Sequence, residues 1–77
     1  MDIREVFARN LRKARHAKGL SQEALAHEAD VDRTYISALE RSAYSATIDM
    51  VDRLATVLDV DASALLQRPA KSRPRKT

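Results

Sequence analysis

Cysteine and tryptophan are absent from this 77-residue chain, glycine occurs once, and the aromatic residues are two tyrosines and one phenylalanine. Without cysteine there is no disulfide framework and no thiolate metal site. His16 and His27, the only histidines, fall on different predicted helices. Without neighbouring ligands they read as surface residues rather than a zinc site. The two prolines, Pro69 and Pro74, are confined to the last ten residues. No apolar run approaches the length of a membrane span and no signal peptide is visible, so a cytoplasmic protein is expected. No nucleophile–base pair, phosphate loop or metal cluster stands out, so neither an enzyme nor a cofactor is expected. A single domain of this size buries only about 60% of the surface of its unfolded chain, which leaves a marginal core and invites stabilisation by self-association.

Charge is unevenly divided. The formal net charge is +3, but Arg68, Lys71, Arg73, Arg75 and Lys76 lie in the last ten residues; residues 1–67 hold nine Lys/Arg against eleven Asp/Glu. The body of the protein is therefore slightly acidic, and a nucleic-acid surface on it requires cations gathered on one face. From Gln67 onward, two prolines and five cations in eleven residues leave nothing to build a core. This stretch, 67–77, reads as a disordered basic tail, either a solubilising terminus or an arm on phosphates.

Hydrophobic residues recur at helical spacing through the rest, 1–66. Ile3, Val6, Phe7, Leu11 and Ala14 form one stripe of a first helix spanning Met1 to Lys18. Asp2 and Glu5 have capping-box spacing at its start, and Gly19 stands where it stops. Leu25, Ala26 and Ala29 share a face of a second helix capped by Ser21. Ile36 and Leu39 share a face of a third, with Asp32 as its candidate N-cap. Between these two helices, Glu28-Ala29-Asp30-Val31 makes a tight turn. Asp30 occupies a position that needs positive φ, and Asp tolerates the left-handed region better than most non-glycine residues. Arg41 to Ala46 is a loop. A fourth helix, capped by Ser45 or Thr47, runs to about Asp59 with Ile48, Val51, Ala55 and Leu58 inward and a second stripe at Met50, Leu54 and Val57. A short fifth helix from Asp61 carries Ala62, Leu65 and Leu66.

The segments LRKARHAKGLSQEALA, VDRTYISALER and LATVLDVDASALL, spanning Leu11 to Leu66, resemble the lambda-repressor/Cro (XRE) helix-turn-helix family. The wording DRTYIS-x-x-ER is most similar to the controller proteins of restriction–modification systems. The resemblance implies an all-α, compact five-helix lambda-repressor-like domain, with the helix-turn-helix at helices two and three. It also implies a sequence-specific transcriptional regulator whose partner is double-stranded DNA, read at a palindrome by a homodimer. A phage-type repressor, an antitoxin, or an interaction module with this fold but no DNA are the competing functions. The chain departs from the family at Ser42, where glycine is common, and at Ser45-Ala46, where Asn-Pro is common.

The third helix then becomes the segment that enters the major groove. Arg33 is the leading base reader, because a guanidinium can bond guanine O6 and N7 together. Thr34 can bond a base or phosphate, Tyr35 can pack on thymine methyls, and Ser37 and Ala38 follow one turn on. The competing reading of Arg33, Thr34 and Ser37 is an ordinary solvated helix face, and of Tyr35, partial burial. By resemblance, Gln22 bonds a phosphate at the start of helix two, while Arg41, Ser42 and Tyr44 hold the other backbone. Resemblance also pairs Arg15 with Glu40; the alternative for Arg15 is a phosphate contact. Leu54, Val57, Leu65 and Leu66 either complete the core or form the dimer interface, which the resemblance places near helix five.

Overall fold

The computed structural model describes residues 2–69. Four α-helices follow one another: α1 (Ile3–Lys18), α2 (Gln22–Ala29), α3 (Arg33–Glu40) and α4 (Ile48–Leu58), and then a 3-10 helix at Ala62–Leu66. No strand occurs among the described residues, and no helix there is long and apolar enough to cross a membrane. The expected fifth α-helix is thus a 3-10 helix. Its amides bond back three residues, Ala64 N–H to Asp61 C=O at 2.9 Å, and Asp61 gives it no side-chain cap. Five residues without a cap do not recover the cost of nucleating an α-helix.

The helix starts follow from short polar side chains. The Asp2 carboxylate accepts from the amides of Arg4 and Glu5 at 2.8 and 3.1 Å, and the Glu5 carboxylate in turn accepts from the Asp2 amide at 3.1 Å. The Glu5 amide, with Arg4 behind it, holds the Asp2 carboxyl below its ordinary range despite some desolvation. Helix α1 therefore begins at Ile3 rather than Met1. Ser21 caps α2 through the Ala24 amide, and Thr47, not Ser45, caps α4 through the Met50 amide, each at 3.0 Å. Asp32 has the extended backbone of an N-cap, but its side chain makes no cap bond.

The helix ends share one device. Among the described residues, Gly19, Asp30, Ser42 and Asp59 have positive φ, at 76°, 61°, 62° and 60°, and each follows an α-helix at once or one residue later. The residue after each donates to a carbonyl five positions back: Leu20 to Arg15, Val31 to Ala26, Ala43 to Ala38 and Val60 to Ala55, at 2.9–3.1 Å. These are Schellman closures, which satisfy carbonyls that a helix end would orphan. Asp30 does have the left-handed backbone expected of it. Ser42 adopts the same conformation where the family's glycine is missing.

Leu11, Leu25, Ile36, Leu39, Leu54 and Leu65 are fully buried and bring all five elements onto one core. Two of the residues considered for a dimer interface, Leu54 and Leu65, belong to this core, and Val57 is half-buried against it. Leu66 alone of the four stands exposed. Ile48, expected to face inward, is 85% exposed. It begins α4 a turn before Val51, at the mouth of an open cleft shared with Leu66. Two polar ties complete the frame. Arg53 of α4 donates to the Ala29 carbonyl at 3.1 Å, and the Asn10 amide of α1 donates to the Leu65 and Gln67 carbonyls at 3.0 and 2.8 Å. The fold therefore holds Gln67, the first residue of the expected basic tail; the tail from residue 70 lies outside the described residues.

The helix ends give a stability prediction. A Cβ added at Gly19 meets nothing within 4 Å, so Gly19→Ala costs only left-handed backbone strain, about 1 kcal/mol. Asp30→Gly relieves the same strain and gains about 0.5–1 kcal/mol, less than the full strain because glycine also loosens the unfolded chain. Urea unfolding followed by circular dichroism reads both; shifts of the same sign would contradict this account.

Candidate nucleic-acid interface

Helices α2 and α3 pack against each other around Ala26, Ala29, Leu25 and Ile36, all buried. Ala26 keeps the crossing close, and Val31 is packed against the core just after the turn, as its place in the sequence suggests. The first turn of α3 is left facing solvent. Arg33 and Thr34 are exposed, and Ser37, one turn on, is half-buried. Because Asp32 does not use its carboxylate as a cap, the first-turn amides of α3 are not taken by it.

Tyr35 lies half-buried on the core edge, with its ring centroid 6.3 Å from that of Tyr44 and the planes tilted by 40°. An inclined pair at this separation is a favourable ring geometry, worth about 0.5–1.5 kcal/mol beyond the area buried. It ties the loop after α3 back to the helix. Tyr44 remains 58% exposed and Arg41 is exposed, whereas Ser42 is half-buried in its left-handed turn. Ala38 corrects the sequence reading. It does not share the outward face of Ser37 but is buried, because the chain closes back over it through the bond from Ala43.

Behind this face lies a buried ion pair. Arg15 Nε and Nη2 donate to the two carboxylate oxygens of Glu40 at 2.6 and 3.0 Å, and Arg15 Nη1 donates to the Leu20 carbonyl at 2.9 Å. Both side chains are at most 10% exposed, so Arg15 holds the frame together, as resemblance implied, and is not placed for a phosphate. The hydrogen bonds to Glu40 raise the Arg15 pKa above its ordinary value, and burial only partly opposes them. A raised pKa means that this contribution is complete below the ordinary arginine value and is lost only at still higher pH. Arg15 therefore stays charged through the whole working range.

Three further contacts had no local signal in the sequence. Arg12 of α1 donates to the Glu40 backbone carbonyl at 2.6 Å, satisfying the end of α3. Gln22 is half-buried: its Nε2 donates to Glu40 Oε1 at 3.0 Å and its Oε1 accepts from Arg33 Nη1 at 3.3 Å. The sequence alone placed Gln22 and Arg33 on the same surface but not in contact.

Two short helices in close contact, the second presenting a polar first turn, define a helix-turn-helix protein. The helix-turn-helix family model matches residues 11–65, and the chain belongs to that family. It is 43% identical over 68 residues to a hypothetical transcription factor of Neisseria meningitidis, covering 88% of this chain and 64% of that protein, so it spans just under two thirds of that relative. Control protein C.SmaI of Serratia marcescens is 40% identical over 68 residues, covering 88% of this chain and 81% of that one. The crystal structure of the restriction–modification controller protein C.AhdI from Aeromonas hydrophila superposes with a TM-score of 0.77 at 39% identity, covering 80% of this chain and 94% of that one.

Arg15→Ala would strand the Glu40 carboxylate with only Gln22 as a side-chain partner. Removing one member of a buried pair costs roughly 3–5 kcal/mol, a large part of what a small domain has. Urea titration should find the variant largely unfolded at 37 °C. A loss below about 1 kcal/mol, typical of an exposed pair, would show that the pair does not anchor the fold.

Proposed function

We propose that this DNA-binding regulator works in the cytoplasm as a homodimer on a palindromic operator, and that its targets include the genes of a restriction–modification system. The observation that carries the reading is the exposed first turn of α3, with Arg33 and Thr34 on a frame fixed by a buried ion pair. Arg33 reads a guanine through O6 and N7, and Thr34 bonds a neighbouring base or phosphate. The Tyr35–Tyr44 pair offers an apolar edge to thymine methyls. Gln22, Ser37, Arg41 and Ser42 meet phosphates, which sets register without specifying sequence. The cationic stretch from Arg68 onward adds a salt-dependent attraction to any duplex. The controller role is supported by the named relatives in both sequence and structure.

The dimer is supported by an apolar face that the monomer leaves open. Leu66 is 40% exposed, Ile3 47% and Ile48 85%. Leu66 and Ile48 line one cleft, and Leu66 and Ile3 line another beside Phe7 and Val51. The starts of α1 and α4 and the 3-10 helix build this face, and none of them contributes to the surface proposed for DNA. A two-fold axis through it sets two α3 helices to read half-sites about one helical turn apart.

Selection from random duplexes should enrich a palindrome with a guanine at a fixed place in each half. Arg33→Ala should then cost about 1–3 kcal/mol on that site and relax the preference at one base pair. Equal loss on all sequences would make Arg33 a backbone contact only.

Leu66→Glu should give a folded monomer in sedimentation equilibrium, with unchanged helix content and weakened binding to the palindrome. A variant that remains dimeric would place the interface elsewhere.

A further inference from the structure

Six of the nine Lys and Arg residues in 1–67 fall on α1: Arg4, Arg9, Arg12, Lys13, Arg15 and Lys18. Two of them serve the fold, Arg15 on the Glu40 carboxylate and Arg12 on the Glu40 backbone carbonyl. Arg9, Lys13 and Lys18 stand exposed, and among the described residues no acid forms an ion pair with any of them. Arg9 and Lys13 lie four residues apart on one face, where like charges slightly weaken a helix. Beside this cationic face runs an open groove of about 400 Å³ between α1 and the chain from Val60 to Pro69. Ala14 and Ala17 line it from α1, Val60, Ala64 and Leu65 from the other side, and Lys13 and Arg68 supply charge at its lining. Val60 is left 37% exposed. The amide of Asn10, also in the lining, is committed to the Leu65 and Gln67 carbonyls. Asp59 and Asp61 flank Val60 but line a separate hollow with Ala55 and Thr56. The groove is therefore apolar within, cationic at the edge, and lined by no acid.

We propose that this groove docks an acidic amphipathic helix of another protein, with aliphatic residues on one face and Asp or Glu beside them. Along α1 the lining runs from Asn10 to Ala17, about two helical turns or roughly 10 Å, so the docked segment is short. Its aliphatic side chains would cover Val60, Ala14 and Ala17, the usual way an amphipathic helix sits in a groove. Its carboxylates would meet Lys13 and, a turn away, Arg9. Charge decides against the chain's own last residues as the occupant, because Lys71, Arg73, Arg75 and Lys76 carry the wrong sign. Chemistry decides against a nucleic acid. Phosphates would suit the cations, but the lining offers no aromatic ring on which a base could stack, and its apolar part would stay uncovered. The groove shares no lining residue with the clefts around Leu66 or with the α3 face. It is thus free for a partner whether or not the protein is dimeric or on DNA, and the inference does not depend on either.

The test screens the full chain, without DNA, against displayed random peptides of about 12 residues, enough for three helical turns. Enriched peptides are synthesised and titrated into isotope-labelled protein, followed by amide chemical shifts. The expected peptides carry aliphatic residues at helical spacing with flanking Asp or Glu, and they move the signals of Lys13, Ala14, Ala17, Val60 and Ala64. Lys13→Glu should weaken their binding at least about fivefold, the effect of an exposed pair, with the circular dichroism of the protein unchanged. Ala17→Gln, which places polar bulk in the groove at an exposed helical position, should weaken it as well. No enrichment, or enrichment of basic or uncharged peptides, overturns the inference. So do shifts centred on Ile3, Ile48 and Leu66, which would place the peptides on the proposed dimer face. A short RNA or an unrelated duplex that moves the groove amides when no selected peptide does would make this a nucleic-acid surface and overturn it too.

Discussion

The Arg15–Glu40 pair is the constraint on which the rest of the molecule depends. A charge buried in so small a domain is tolerated only when its partner is fixed, and here one guanidinium serves α1, the turn after it and α3 at once. Arg12 draws the end of α3 onto α1 from the outside. Such a pair adds little net stability compared with well-packed apolar residues, but it is intolerant of rotation or sliding. It sets the angle of α3 to the body of the protein, and α3 is the helix whose direction matters.

The chain's charge makes sense on the same ground. Residues 1–67 carry more acid than base, so attraction to DNA cannot come from a broadly cationic surface. The proposed interface draws instead on a few cations at defined places. Arg15 is buried on Glu40, and exposed Arg53 is tied to the Ala29 carbonyl. Arg33 and Arg41 remain on the face formed by α3 and its following loop. The excess of acid over base in the body favours recognition by geometry over indiscriminate adhesion.

Much of the fold was legible because its signals are local. Asp2, Ser21 and Thr47 cap the helices that the apolar spacing outlines, and the left-handed turn at Asp30 follows from residue chemistry. What escaped was decided at long range. Ala38 looked outward by spacing, but the chain folds back over it. Ile48 looked inward by spacing, but nothing packs above it. Leu54 and Leu65 looked available for a partner until the elements around them closed. The contacts of Asn10, Arg12 and Arg53 with distant carbonyls leave no trace in neighbouring residues. The candidate site was legible as a set of side chains, whereas the link from Glu40 to Arg33 needed coordinates.

The repeated helix ending has a consequence for how such a chain can vary. Gly19-Leu20-Ser21, Asp30-Val31-Asp32 and Asp59-Val60-Asp61 each run left-handed residue, core-facing or edge aliphatic, extended residue that opens the next helix. Each connector is three residues long with every backbone position assigned, so none has slack. An added or deleted residue there would break the closing hydrogen bond or displace the residue that opens the next helix. Such a protein can exchange side chains at these joints far more readily than it can change their length. The longer connection between α3 and α4 is the natural place for insertions, and it lies beside the surface proposed for DNA. Length variation in a scaffold of this kind is therefore channelled toward the surface proposed for DNA.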